Sequence, residues 1–151
     1  MKRNSRGFTL VEILIVVIIL GILAAIVIPQ FTNASNDARN NSTASTLQTI
    51  RSQIELFKIQ HADTPPASAG CLWTVLGGRT STADTTGTDA ATTATFGPYV
   101  QNPPSNPVNG LSTAQAAPAA GGGGWVYVMD PNTNTYYISA TDTVGSGVLT
   151  Y

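Results

Sequence analysis

The sequence predicts an α+β protein: a long amino-terminal helix, half membrane-spanning and half amphipathic, packed on a small antiparallel β-sheet. Three observations predict it. Phe8 to Ile28 is an apolar run whose polar side chains are Thr9 and Glu12. Leu47, Ile50, Ile54 and Phe57 follow at steps of three and four, which places them on one helix face. Near the carboxy end, Trp125–Met129 and Thr135–Ser139 are β-rich segments flanking the turn-rich Asp130-Pro131-Asn132-Thr133-Asn134, a hairpin pattern.

The apolar run comes first in the chain. At 1.5 Å rise per residue, Phe8–Ile28 is roughly 32 Å of helix, enough to cross a hydrocarbon core. A buried strand of that length is excluded. Lys2, Arg3 and Arg6 precede the run and favour a cytoplasmic leader with the remainder crossing outward. A cleaved secretory signal would carry a small-residue site after the apolar core, whereas Ile28 is followed by Pro29-Gln30-Phe31. Gly7 is the small residue, and it precedes the run. Glu12 stands out, because an ionised side chain at the bilayer centre costs roughly 2.5–3.5 kcal/mol on insertion scales and is functional by default. Pro29 removes a helical hydrogen bond, so a kink or a locally melted segment is expected over 26–29. Gly21 permits close helix approach.

Beyond Phe31 the helix turns amphipathic and runs to about Gln60, with Ala34, Ala38 and Ala44 extending the Leu47 stripe. Arg51–Glu55 and Glu55–Lys58 form helical charge pairs on the outer side. Asn33, Asn40, Asn41, Ser42 and Thr43 weaken the middle, and Pro65-Pro66 stops the helix. Leu72–Leu76 reads as a helical turn. Gly77–Thr95 and Ser112–Gly124 read as loops with little to bury. A third strand is expected near Val148–Tyr151 or near Tyr99–Val100. The domain organisation is then a leader 1–7, a membrane helix 8–29, an amphipathic helix 30–62 and a small head 63–151.

Charge and cysteine content exclude several functions. Three of the seven basic residues lie in the leader, leaving four against eight acidic, a formal −4 for the remainder. No basic patch for nucleic acid survives. Cys71 is the single cysteine, so no intrachain disulfide forms. A Cys71–His61 catalytic pair is outweighed by a half-buried packing cysteine and a solvated histidine near a helix end. No Ser-His-Asp set presents itself, and no enzyme activity is expected.

Arg6-Gly7-Phe8-Thr9-Leu10-Val11-Glu12, with the apolar run and Pro29, resembles the type III signal of type IV pilins and pseudopilins. The resemblance implies cleavage between Gly7 and Phe8 by a membrane prepilin peptidase, with N-methylation of Phe8. It further implies assembly through Phe8, Glu12 and Pro29, with Glu12 paired to the Phe8 ammonium of a neighbouring subunit. Leu56-Phe57-Lys58 before Asp63 and Pro65, and Gly97-Pro98-Tyr99-Val100 with Pro104, Pro107 and Asn109-Gly110, are similar to the major pseudopilins of type II secretion. That resemblance implies a single-pass protein of the inner membrane with its head outside the cytoplasm. The partners implied are copies of itself in a helical filament, other pseudopilins, the inner-membrane assembly platform and membrane lipid. A type IV pilus subunit and a membrane-anchored binding module are the alternatives.

No cofactor is expected, with calcium as the exception to test. Asp130-x-Asn132-x-Asn134 alternates oxygen ligands as calcium loops do, yet it lacks their glycine and distant glutamate and suits a turn without metal. G-type pseudopilins bind calcium in a carboxy-terminal loop, and Asp142 is the acid available there.

Overall fold

The computed structural model describes residues 7–88, 95–119, 122–142 and 147–149. The chain forms two compact units, Met1–Ala38 and Arg39–Tyr151, and helix α1 (Leu10–Gln60) contributes to both. In the first unit every described side chain is exposed, from Phe8 at 83% to Phe31 at 77%, so none of the described residues covers the apolar run. α1 is continuous through Pro29, which corrects the expected melted segment. Proline cannot donate back to the preceding turn. One turn on, the Thr32 hydroxyl donates to the Ile28 carbonyl at 3.1 Å.

In the second unit α1 buries one stripe: Thr43, Leu47, Ile50, Ile54 and Phe57. The stripe continues back from Leu47 through Thr43, four residues away, and not through the alanines. Ala34 and Ala38 are exposed and Ala44 is half-buried. The polar middle stays helical because its hydroxyls bond to the helix itself. Thr43 donates to Arg39 O at 2.8 Å, Thr46 to Ser42 O at 2.9 Å, Thr49 to Ser45 O at 3.1 Å and Ser52 to Gln48 O at 3.0 Å. Ala62 and Asp63 end the helix with φ of 53° and 60°. Their flanking amides, those of His61 and Asp63, both donate to Lys58 O, at 3.0 and 2.9 Å.

Helix α2 (Leu72–Gly77) follows, then strands β1 (Ala114–Gln115), β2 (Trp125–Asp130) and β3 (Thr135–Ala140) in sheet order β1-β2-β3. β2 and β3 form the expected hairpin, in register from Trp125 opposite Ala140 to Asp130 opposite Thr135. The third strand lies elsewhere than expected. β1 sits inside the Ser112–Gly124 segment and pairs parallel to β2, so the sheet is mixed. Tyr99 and Val100 instead donate to Leu76 O at 2.8 and 2.9 Å. Val148 forms one isolated bridge with Thr141, while Thr150 and Tyr151 fall outside the described residues.

Both glycine-rich segments do bury residues. A Cβ on Gly124 would collide with the Leu111 carbonyl, so a side chain is excluded where the loop crosses the sheet end. Thr80 and Asp84 are buried, and Asp84 Oδ1 accepts from the amides of Thr86 at 2.9 Å and Gly87 at 2.7 Å. Residues 89–94 of that segment lie outside the described residues.

One core joins these elements. The α1 stripe packs with Leu72, Val75, Leu76, Trp125, Tyr127, Ile138 and Ala140. Each large apolar side chain buried there contributes about 1.5–3 kcal/mol. The aromatics also anchor loops: Trp125 Nε1 donates to Pro104 O at 2.8 Å, and Tyr127 Oη to Pro66 O at 2.7 Å. Burial pushes the Tyr127 hydroxyl well above the ordinary phenol range. Arg51 turns from the outer side towards the sheet and donates to Ile138 O at 3.1 Å. Lys58 lies 4.0 Å from Glu55 and 3.4 Å from Asp63.

Asn106 ties loop, sheet and helix together. Its Nδ2 donates to Gly124 O and Thr141 O, both at 2.9 Å, and its Oδ1 accepts from Val108 N at 2.9 Å and lies 3.4 Å from Thr43 Oγ1. Asn106→Ala takes the side-chain donor from Thr141 O, while Gly124 O keeps the Thr141 amide at 3.1 Å, and the expected loss of head stability is about 1–3 kcal/mol. Chemical unfolding of the full chain in detergent, followed by tryptophan fluorescence, measures it. A loss below about 1 kcal/mol would count against the clamp.

Candidate functional site

Around the start of α1 the candidate residues come together as a capping box. Thr9 precedes the first helical residue, Leu10. Its amide donates to Glu12 Oε2 at 2.8 Å and its hydroxyl to the same oxygen at 2.9 Å. In return Glu12 N donates to Thr9 Oγ1 at 3.3 Å. The pattern was readable as Thr-x-x-Glu ahead of an apolar run, and Thr9 is the residue that the sequence analysis passed over. Glu12 therefore has two donors from its own chain at the mouth of an otherwise apolar helix.

Phe8 is exposed and lies one residue before Thr9. Gly7 has no heavy atom within 4 Å of the place a Cβ would occupy, so this chain's own packing does not require glycine there. Gly21 is equally open, with nothing beside it. Pro29 lies inside α1, away from the Thr9–Glu12 pair. Lys2, Arg3 and Arg6 fall outside the described residues.

The remaining candidates lie in the head. His61 is not solvated: it is 1% exposed and stacks on Phe57 with ring centroids 3.7 Å apart. Its Nδ1 bonds to Phe57 O at 2.7 Å and its Nε2 to Thr80 Oγ1 at 2.9 Å. Both ring nitrogens thus serve packing. Cys71 is half-buried, as expected, with its sulfur 3.2 Å from Ser68 N.

At the hairpin turn, Asp130 Oδ1 accepts from Asn132 N at 2.9 Å, and Asn134 supplies a φ of 52°. The hydrogen bond from the Asn132 amide holds the Asp130 carboxyl below the usual carboxylate range. These atoms build a turn. Asp142 follows β3, and its carbonyl accepts from Asn109 Nδ2 at 3.1 Å. Among the described residues no group of three His, Cys, Asp or Glu side chains is placed to hold a metal ion, and residues 143–146 beside Asp142 lie outside the described residues.

A family described as "Prokaryotic N-terminal methylation motif" matches residues 2–28, which span the leader, Phe8, the capping box and the apolar run. The chain is 34% identical over 70 residues to the type II secretion system core protein G of Dickeya chrysanthemi, covering 46% of each chain. To core protein G of Pseudomonas aeruginosa it is 35% identical over 69 residues, 46% of this chain and 49% of the relative. The chain thus spans about half the length of these relatives. To the type IV narrow pilus major component of Thermus thermophilus it is 32% identical over 90 residues, 60% of this chain and 77% of the relative. No solved structure matches it. An uncovered apolar helix opening on Gly7-Phe8-Thr9 and Glu12, a small head with a β-hairpin, and these relatives lead to one conclusion: the chain belongs to the type IV pilin-like family.

Proposed function

We propose that this chain is a structural subunit of a type II secretion pseudopilus, polymerised through its amino-terminal helix to support protein secretion, and not an enzyme. The observation that carries the reading is the similarity to core protein G in more than one bacterium. A prepilin peptidase cuts between Gly7 and Phe8, and the new Phe8 amine is methylated. The mature subunit waits in the inner membrane with its head outside the cytoplasm. Other pseudopilins and an inner-membrane platform are its assembly partners.

In this reading the capping box sets the order of events. Before cleavage, the donors to Glu12 among the described residues are those of Thr9, and they make a carboxylate tolerable at the lipid edge. Cleavage creates an ammonium on Phe8. In low dielectric, two opposite charges attract strongly while either alone is heavily penalised. An incoming neighbour's Phe8 ammonium therefore exchanges with the Thr9 donors and fixes the stacking register.

A second reading, a type IV pilus subunit, is favoured by one observation: the Thermus thermophilus pilus component aligns over more of its length than core protein G does. The Glu12 mechanism is common to both.

Mass determination of the mature amino terminus should give a chain beginning at methylated Phe8; a mature protein retaining residues 1–7 would instead support a membrane-anchored binding module. Glu12→Ala is expected to remain in the membrane fraction while filament yield falls to background, and a normal yield would remove Glu12 from the assembly contact. The proposal includes no cofactor. EGTA is accordingly expected to leave the melting temperature of the head unchanged, whereas a fall of several degrees would assign calcium to the Asp142 region.

A further inference from the structure

The loop from Asn106 to Leu111 contains Asn109-Gly110, and neither packing nor the proposed assembly uses its chemistry. Glycine leaves its amide nitrogen unhindered by a side chain, so that nitrogen can reach the preceding carboxamide carbon. In the folded head both partners are held away from that encounter. Gly110 N donates to Asn106 O at 2.7 Å. Asn109 Oδ1 accepts from Leu111 N at 3.0 Å, and Asn109 Nδ2 donates to Thr141 Oγ1 at 2.8 Å and to Asp142 O at 3.1 Å.

We propose that Asn109-Gly110 is a spontaneous deamidation site that the folded head holds in check, so that a loosened subunit becomes irreversibly marked. The reaction needs only water. Gly110 N attacks Asn109 Cγ, a Cγ–N bond forms, the Cγ–Nδ2 bond breaks, and ammonia leaves with the proton from Gly110 N. Water then opens the cyclic imide at either carbonyl carbon, giving aspartate or isoaspartate at position 109. No electrons are transferred.

The surroundings make the product incompatible with the original loop. Thr141 Oγ1 directs its own proton to Gly123 O at 2.7 Å, so towards position 109 it accepts. Asp142 O is a carbonyl and only accepts. Replacing the Nδ2 donor by a carboxylate oxygen sets an anion against the Asp142 carbonyl, which has no proton to give, and against Thr141 Oγ1, which can donate only by giving up Gly123 O. The isoaspartate form also adds a carbon to the backbone beside Gly110, whose φ is +75°. Either product releases the loop from the end of β3, and refolding does not restore the amide.

Peptide mapping by mass spectrometry tests this on the full chain at neutral pH, folded in detergent and unfolded in urea. Conversion at Asn109 should be at least about ten-fold slower in the folded chain, which is protection of about 1.4 kcal/mol. Thr141→Val removes one of the acceptors that hold the carboxamide and should raise the folded-state rate towards the unfolded one. Asn109→Asp, made directly, should lower the melting temperature of the head by several degrees. Equal conversion rates in the folded and unfolded chain would overturn the proposal, as would an Asn109→Asp head as stable as the wild type.

Discussion

Packing in the head is organised around a single stripe on α1. Thr43, Leu47, Ile50, Ile54 and Phe57 are the helix's buried positions, and the apolar side chains of α2 and the hairpin share their core cluster. The constraint behind this is that one continuous helix must satisfy two environments. Towards its start it is apolar all round and none of the described residues covers it. Towards its end it buries a face about one residue wide per turn, flanked by half-buried positions such as Ala44, Arg51 and Lys58. A head built on so narrow a face has few apolar contacts to spare, and polar clamps at Asn106 and Asp84 organise the loops that the core does not reach.

The helix start follows the same economy. A carboxylate on an apolar helix needs donors, and the nearest are the amide and hydroxyl of Thr9. These hydrogen bonds close the first turn and hold a side chain that would otherwise be unsatisfied in lipid. A single pair of residues thus serves folding of the helix end and storage of a charge for a later partner.

Much of this was legible in the residues. The apolar run, the Leu47–Phe57 stripe and the Trp125/Tyr136 hairpin each carry a periodicity that local geometry enforces. What escaped was long-range or side-chain-specific. His61 is buried because Thr80, nineteen positions on, meets its Nε2, and no local pattern announces that partner. β1 is two residues long and lies in an Ala/Gly-rich stretch, where neither alternation nor β-propensity marks a strand. Arg51 sits at proper spacing for Glu55 yet donates to a strand carbonyl, since an unpaired edge group competes well with an exposed ion pair. The Thr9–Glu12 box is local and carried by Thr-x-x-Glu, a pattern in which the carboxylate's hydrogen bonds matter as much as its charge.

The serines and threonines of α1 carry one more consequence. From Asn40 to Ile50 the helix has no ionisable side chain, and the hydroxyls of Thr43, Thr46 and Thr49 donate to carbonyls of the preceding turn. Such a stretch is polar yet uncharged: its threonine protons are directed inward, the exposed carboxamides of Asn40, Asn41 and Gln48 are left to water, and no ionic charge is there for salt to screen. Between an oily shaft and a charged tip, the helix holds a stretch whose transfer from water to a drier neighbourhood desolvates no ion and asks the neighbour only to meet a few exposed carboxamides and serines.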